Sequence, residues 1–186
     1  CCSVPKRRSK YILIDLNNEE TLLIHLGMSG AIRIYDQKPN FAKHDHFSVE
    51  FTSGQWFVFS DPRRFGHLDL FASAAKSTHP LLSGLGVEPL SDAFTDSVLA
   101  SLMKGRKTPI KSALLDQRLI AGLGNIYVSE ALFRAGISPR RKAGTIAGQR
   151  AHRLTKAIKV VLREAINAGG TSLRNHIQPG GEIGYF

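Results

Sequence analysis

Two short loops carry side chains that could enter a stack of nucleic-acid bases. The first is residues 27–30 (GMSG), where the flexible apolar side chain of Met28 lies between glycines. The second is residues 61–66 (DPRRFG), which places Arg63 and Phe65 in one short loop. Apolar wedges unstack a base step, and an arginine can hydrogen-bond the base that has lost its partner. The alternative is that Met28 and Phe65 are ordinary core residues.

Lys10 is a second candidate for chemistry, because it closely follows two arginines and opens an apolar segment. A partly desolvated lysine can donate a proton or form a Schiff base. The simpler alternative is an exposed lysine that binds a phosphate or water. The sequence contains no P-loop, dinucleotide-binding or nucleophile-elbow motif, so the residues alone leave both interpretations open.

His44 and His46 are two residues apart in the segment KHDH and would share one face of a strand. Two histidines can begin a zinc site, but the sequence offers no further cluster of ligand residues near them, so we expect no metal there. We expect His44 to donate a hydrogen bond to a phosphate instead.

A helix, two turns and a second helix are predicted for residues 108–136. The glycines of residues 122–124 allow a tight turn, and Asn125 is predicted to cap a helix over 126–135 that Gly136 ends. Such a turn presents free backbone N–H groups at the positive end of a helix dipole, which suits a phosphate. The alternative is a capped helical hairpin without a ligand. The neighbouring basic residues that favour a phosphate are Lys107, Lys111, Arg118 and Arg134.

The composition indicates a polyanionic partner. There are 25 Lys and Arg residues against 15 Asp and Glu residues, which gives a formal net charge of +10. No apolar run approaches the roughly 18 residues that a membrane span needs, and no signal-peptide pattern is evident at the start. The adjacent Cys1 and Cys2 form neither a disulfide framework nor a zinc site, which is typical of a reducing cytosol. We therefore expect nucleic acid, and no membrane, as the partner.

Alternating apolar and polar residues in the first part of the chain predict antiparallel strands, and so an antiparallel β-sandwich. The composition then shifts to Ser, Ala and Pro, and we divide the chain into domains at residues 1–85 and 86–186. The fold class is therefore α+β, with an incomplete sandwich followed by a helical helix–two-turn–helix domain. The predicted strands are residues 11–16, 22–26, 31–35, 47–51, 55–60 and 67–71.

Two more helices are predicted in the second domain, over residues 92–103 and 146–168, and Thr145 is predicted to cap the latter. Gly169 and Gly170 should end it. Its apolar face is predicted to contain Leu154, Ile158, Val161, Leu162, Ala165 and Ile166.

Five segments together resemble bacterial formamidopyrimidine-DNA glycosylases, in that family's order and across nearly the whole chain. The resemblance implies a bifunctional DNA glycosylase/AP lyase for base-excision repair. Such an enzyme excises oxidised purines, chiefly 8-oxoguanine paired with cytosine, and also formamidopyrimidines. It then cleaves the abasic strand by β,δ-elimination through a Schiff base. The segments are HLGMSG (25–30), KHDH (43–46), DPRRFG (61–66), GLGVEPLSD (84–92) and IAGLGNIYVSEALFRAGI (120–137).

The resemblance also implies roles for individual residues. Met28, Arg63 and Phe65 would fill the void left by the flipped base, with Arg63 facing the estranged cytosine. Lys10 would contact the phosphate at the lesion and assist proton transfer as the catalytic residue of this chain. The implied DNA-backbone contacts are His25, His44, Lys107 and Asn125. The implied lesion-capping loop is Thr171, Ser172, Leu173, Arg174, Asn175 and His176.

The sequence departs from the family at both ends. The family begins with Pro-Glu, whose proline amine is the nucleophile, and ends with a four-cysteine zinc finger. This chain begins Cys1-Cys2-Ser3 and ends at Phe186. We therefore expect an internal fragment with little activity of its own, and a zinc ion only in the parent's finger. The implied protein is a monomer in the bacterial cytoplasm, associated with the nucleoid, whose partner is duplex DNA containing oxidised purines.

Three alternatives stay open at this point. The chain could be a non-catalytic damaged-DNA binder of the same family. It could resemble the relative that acts on oxidised pyrimidines (endonuclease VIII type), although DPRRFG and the capping loop favour the purine enzyme. It could also be an RNA-binding protein, because helix–two-turn–helix elements occur in ribosomal proteins, but the wedge residues would then lack a role.

Overall fold

The computed structural model of the chain describes residues 3–170. The described residues divide into two compact units. One unit contains the residues up to Ala75 together with those from Ala165, and the other is Lys76–Glu164. No helix within residues 3–170 is long and apolar enough to cross a membrane.

Antiparallel strands build the first unit. Their order is β1-β2-β3-β7 in a four-stranded sheet and β4-β6-β5 in a three-stranded sheet. The strands are β1 (Lys6–Arg8), β2 (Tyr11–Asp15), β3 (Glu20–His25), β4 (Ala31–Tyr35), β5 (Asp45–Glu50), β6 (Trp56–Ser60) and β7 (His67–Ala72).

The core of the first unit lies between its two sheets. Ile24 of β3 is fully buried and clusters with Phe57 and Phe59 of β6. Ile12 and Leu68 pair with Ile24 on the neighbouring strands and pack against the same cluster. Burying each such side chain stabilises the fold by about 1.5–3 kcal/mol, so this cluster joins the sheets. The predicted antiparallel sandwich is confirmed.

Each predicted strand is present within one or two residues of its expected bounds, but β1 was not predicted. Its sequence, KRR, has no apolar alternation that would indicate a strand. It forms because its backbone pairs with β2, with Lys6 opposite Leu13 and Arg8 opposite Tyr11. Lys10 therefore lies in a two-residue hairpin turn, after Ser9, whose φ is 55°.

Helices build the second part of the chain, so the predicted α+β class is confirmed. Its core contains fully buried side chains from several helices and the turns between them, including Phe94, Leu99, Ile120, Leu123 and Leu132. The helices are α1 (Asp96–Met103), α2 (Ile110–Leu115), α3 (Asn125–Arg134) and α4 (Gln149–Asn167), with 3₁₀ turns at Ser73–Ala75 and Ala143–Thr145.

Helices α1 and α4 begin later than predicted, at Asp96 and Gln149. Helix α1 begins at Asp96 because Thr95 caps it, with its Oγ1 accepting a 3.3 Å hydrogen bond from the N–H of Val98. Thr145 does not cap α4, since its hydroxyl donates to the carbonyl of Lys142 within a 3₁₀ turn (2.8 Å).

The apolar face of α4 is narrower than predicted. Leu154, Ile158, Val161 and Ala165 are buried, as a spacing of three and four residues requires. Ile166 was wrongly placed on this face, because it is one residue, or about 100°, away from Ala165, and it is 63% exposed. The helix ends as expected, with the N–H of Gly169 and of Gly170 bonded to carbonyls of its last turn.

Candidate nucleic-acid interface

Met28 and Phe65 are exposed side chains on two adjacent loops of the β-unit. Each is 56% exposed, so the alternative that they are core residues is wrong. The guanidinium carbon of Arg63 lies 4.8 Å from the centroid of the Phe65 ring, within the range of a cation–π contact. The two loops thus present two large apolar side chains and one cation together at the surface.

The backbones of the two loops are in direct contact. Gly27 has a φ of +64°, and a Cβ on it would lie only 2.5 Å from the carbonyl carbon of Phe65. A side chain at this position would therefore push the loops apart as well as strain the backbone. On the other loop, Arg64 also adopts a positive φ of 56°, and its N–H bonds to the carbonyl of Asp61 at 3.3 Å.

A row of ring side chains crosses three strands beside these loops. His25 of β3 is opposite Tyr11 of β2 on one side and His67 of β7 on the other. The Tyr11 and His25 rings are 5.1 Å apart. Lys10 directly precedes Tyr11 and is close enough for its charge to act on His25. The β-sheet therefore gathers one lysine and two histidines at the edge next to Met28.

The charge states of Lys10 and His25 follow from their surroundings. Partial desolvation lowers the pKa of the Lys10 ammonium, although the residue is at the surface. Desolvation also lowers the pKa of His25, and the nearby charges of Lys10 and His67 lower it further. His25 is therefore neutral at pH 7. Its Nδ1 accepts a 3.0 Å hydrogen bond from the N–H of Gly27, so its proton is on Nε2, where it can be donated to a ligand.

The two histidines of KHDH have different surroundings. His46 contacts the carbonyl oxygen of Asp61 through Nε2 at 3.0 Å, so it helps to hold the start of the loop of residues 61–66 in place. His44 is half-buried, its ring centroid is 6.4 Å from that of His46, and its carbonyl accepts the N–H of Asp61 at 2.9 Å. Within residues 3–170 no group of three or more His, Cys, Asp or Glu side chains could hold a metal ion.

The turn before α3 has the predicted shape but a different cap. Gly122 has a φ of 85°, whereas Gly124 is extended (φ −113°, ψ 170°) and is itself the N-cap. Asn125 was wrongly predicted as the cap, because Gly124 occupies the N-cap position and Asn125 is already the first residue of α3. Asn125 is exposed at the helix start, where the first N–H groups have no acceptor within the helix.

Gln117 holds this turn, a role that the sequence did not indicate. Its Oε1 accepts the N–H of Gly122 at 2.8 Å. Its Nε2 donates to the carbonyls of Leu115 and Leu123, both at 2.9 Å. One amide side chain thus fixes three backbone groups on both sides of the turn before α3.

The basic residues around α3 do not all contribute free charge. Arg118 is paired with Asp116, with nitrogen–oxygen distances of 2.9 and 2.8 Å, and this arginine lowers the pKa of the carboxyl. Arg134 contacts Glu130 (2.7 Å) and Glu164. These two arginines therefore do not favour a phosphate as expected, whereas Lys107 is exposed.

The sequence-predicted residues are thus found in two places. The β-unit brings together Lys10, His25, Met28, Arg63 and Phe65, with His44 connected through its backbone. The helical unit holds Lys107 and Asn125. The predicted capping loop, which is Thr171, Ser172, Leu173, Arg174, Asn175 and His176, lies outside the described residues and stays a prediction.

Comparison with known proteins decides the family. Residues 3–68 match the formamidopyrimidine-DNA glycosylase N-terminal domain, and residues 85–176 match the H2TH domain of the same family. The formamidopyrimidine-DNA glycosylases of Acidiphilium cryptum and Ruegeria pomeroyi are 58% and 54% identical to the chain, over 97% of its length. The chain belongs to the formamidopyrimidine-DNA glycosylase family. It spans 65% and 67% of the length of these two glycosylases.

Solved structures of the family have the same fold. The Thermus thermophilus MutM (Fpg) protein is 40% identical, with a TM-score of 0.89 over 100% of this chain and 68% of its own. Lactococcus lactis Fpg in complex with DNA containing an abasic site is 30% identical, with a TM-score of 0.88 over 98% of this chain and 67% of its own. MutM in complex with DNA containing carbocyclic 8-oxo-G is 32% identical, with a TM-score of 0.87 over 99% and 67%. The glycosylase family that the five segments resemble is confirmed.

Proposed function

We propose that this chain is the part of a DNA glycosylase/AP lyase that holds duplex DNA around an oxidised purine. The complete protein excises the base and cleaves the abasic site by β,δ-elimination through a Schiff base. The observation that carries the proposal is the exposed cluster of Met28, Arg63 and Phe65 beside the Lys10–His25 pair. Relatives of the same fold in complex with abasic or 8-oxo-G DNA support the same partner.

The exposed cluster is suited to occupy the space that a flipped base leaves. A glycosylase cannot reach the glycosidic carbon inside a stacked duplex, so the damaged nucleotide must leave the stack. Met28 and Phe65 fill the void with apolar surface, which offsets part of the lost stacking. Arg63, held over the Phe65 ring, directs its guanidinium donors toward the estranged base.

The Lys10–His25 pair is suited to a phosphate next to the lesion. The ammonium of Lys10 provides the charge, and the Nε2–H of neutral His25 provides a directed hydrogen bond. The lowered pKa of Lys10 also makes it a better proton donor than an ordinary surface lysine. Both groups therefore bind the DNA phosphate backbone, and Lys10 also assists proton transfer during the elimination. His44, half-buried at the start of the Arg63 loop, contributes a further phosphate contact.

The start of α3 provides a second phosphate site. The first N–H groups of α3 have no acceptor within the helix, and with the helix dipole they attract an anion. The exposed side chain of Asn125 adds a donor. Lys107 adds an exposed charge in the same unit. A helix N-terminus and an exposed lysine bind phosphates and carry no sequence information, so we assign these groups to positioning the DNA rather than to recognising the lesion.

Some features of the complete protein go beyond the described residues. The resemblance implies a zinc ion in a C-terminal finger. Within residues 3–170 no cluster of side chains fits a metal ion, so we assign zinc no role in this part of the protein. Residues 171–176 would cap the flipped base, and a proline amine would form the Schiff base. The protein would act as a monomer on the bacterial nucleoid in the cytoplasm.

Borohydride trapping tests this function. The complete protein is mixed with a duplex carrying 8-oxoguanine opposite cytosine, reduced, and the cross-linked peptide is identified by mass spectrometry. We expect a covalent complex through the N-terminal proline, and none with the undamaged duplex. The absence of any cross-link would contradict the proposed lyase. A cross-link at Lys10 would instead contradict its assigned role as a phosphate contact and proton donor.

A further inference from the structure

Asp61 is a buried carboxylate at the base of the two loops that carry Met28 and Phe65. It is 1% exposed. Its Oδ1 accepts a 2.6 Å hydrogen bond from the hydroxyl of Ser29, and its Oδ2 accepts a 2.7 Å bond from the N–H of Gly66. A buried charge is costly unless it is hydrogen-bonded, and here each oxygen bonds to a different loop.

The ionised form of this carboxylate is the stable one. Burial by itself raises the pKa of Asp61, but the hydrogen bonds from Ser29, Gly66, Arg63 and Arg64 outweigh burial and lower the pKa below its ordinary value. The charge therefore persists at neutral pH. It strengthens both the bond from Ser29, which crosses between the loops, and the bond from Gly66 within the loop of residues 61–66.

Ser29 makes two hydrogen bonds to the loop of residues 61–66. Its hydroxyl donates to Asp61 and accepts a 3.2 Å hydrogen bond from the N–H of Arg63. Ser29 directly follows Met28, and Arg63 is two residues before Phe65. One hydroxyl group thus connects the tip that carries Met28 to the tip that carries Arg63.

We propose that Asp61 and Ser29 are positioning residues that join the Met28 tip and the Arg63–Phe65 tip into one rigid wedge, which enters the duplex as a unit. This inference rests on the proposed function, in which these side chains insert into DNA. Neither Asp61 nor Ser29 needs to touch DNA. The close approach of the Gly27 and Phe65 backbones limits how near the tips can come, and the hydrogen bonds of Ser29 hold them at that distance.

A rigid wedge predicts that Met28 and Phe65 act together. If the tips insert as a unit, removing either side chain impairs insertion of the whole wedge, and removing the second adds little. If the tips move independently, the two losses multiply. The difference is measurable, because residues within one hydrogen-bonded network show coupling that distant residues lack.

The test measures that coupling with and without the Ser29 hydroxyl. The dissociation constant of the chain is determined by fluorescence anisotropy for a duplex with a tetrahydrofuran abasic-site analogue opposite cytosine. The variants Met28→Ala, Phe65→Ala and their combination are made in the native and the Ser29→Ala backgrounds. We expect the native double variant to lose at least about threefold less affinity than the product of the single losses. In Ser29→Ala, the losses should multiply.

Two controls separate the linkage from general damage to the fold. Ser29→Thr retains the hydroxyl and should restore the coupling. Asp61→Asn should remove it, whereas Asp36→Asn, at an exposed carboxylate bonded to Gln55, should not. Coupling that survives in Ser29→Ala, or that is missing in the native chain, would overturn the linkage. Equal affinity of the native chain for abasic and intact duplexes would instead overturn the proposed function.

Discussion

The backbone N–H of Gly27 donates a 3.0 Å hydrogen bond to Nδ1 of His25. This bond joins the end of β3 to the loop that carries Met28, and it requires that Nδ1 be unprotonated. The charges of Lys10 and His67 act in the same direction, because they disfavour a second proton on the ring. The tautomer of His25 and the conformation of the Met28 loop are therefore linked.

His25 should make the stability of the chain depend on pH. Its pKa in the folded chain is below the ordinary 6.5, so the unfolded chain takes up the proton first as the pH falls. Its stabilising contribution is thus complete above pH 6.5 and is lost on acidification. His25→Asn keeps an acceptor for Gly27 and removes the titration. Urea unfolding from pH 7.5 to 5.5 should show a smaller loss of stability in this variant. If the free energy of unfolding changed with pH equally in His25→Asn and in the native chain, His25 would not be the group responsible.

Asn125→Ala should weaken the binding of damaged and undamaged duplexes alike. Asn125 is exposed at the start of α3 and does not cap the helix, so the folding stability should change by less than about 0.5 kcal/mol. Loss of one phosphate contact should reduce the affinity by about fivefold, as measured by anisotropy. Asn167→Ala, at the last residue of α4, is the matched control. A loss confined to damaged DNA would refute a positioning role.

Arg63→Ala should erode the preference for the base opposite the lesion. The guanidinium is held by the Phe65 ring and is the cluster's only group with several directed donors. Dissociation constants for abasic duplexes with each of the four opposite bases measure the preference. Arg64→Asn is a suitable control, because asparagine tolerates its φ of 56°. If Arg63→Ala left the preference for cytosine intact, the assignment of this residue would be wrong.

Binding should weaken steeply as salt rises, because each neutralised phosphate releases counterions. The exposed Lys107 should account for one such contact. Lys107→Gln should reduce the slope of log affinity against log salt concentration by about 1, at both damaged and intact sites. Lys38→Gln is a control, because that ammonium lies 5.5 Å from the centroid of the Trp56 ring. A flat salt response in the native chain would exclude a phosphate-binding surface.

Regular elements could be predicted from the sequence because their patterns are local. Alternation indicated the strands of the sandwich, and spacings of three and four indicated the buried face of α4. Strand β1 could not be predicted, because KRR becomes a strand only through its pairing with β2. The N-cap of α3 was predicted one residue too late. Gly124 is extended and takes the cap position, and the sequence favoured Asn125 there only because of its residue type.

The candidate site was only partly accessible from the sequence. The sequence motifs indicated Met28, Arg63 and Phe65 as candidate residues, but the local sequence could not show whether Met28 and Phe65 were exposed or buried. Ser29 and Asp61 were missed, because they act through contacts between segments about thirty residues apart in the chain. Gln117 was missed because its hydrogen bonds form only once the turn before α3 has folded around its side chain. The ion pair of Arg134 with Glu164 also joins residues far apart in the chain, whereas Arg118 pairs with Asp116, only two residues away.

The most direct test of the account is whether this chain selects a lesion through its exposed cluster. Its affinity is measured for three matched ligands: a duplex with an abasic-site analogue opposite cytosine, the intact duplex, and a structured RNA hairpin. We expect the tightest binding to the abasic duplex. The triple variant Met28→Ala/Arg63→Ala/Phe65→Ala should bind that duplex only as tightly as intact DNA. Equal affinity for both duplexes, a preference for the RNA, or unchanged selectivity in the triple variant would contradict this account.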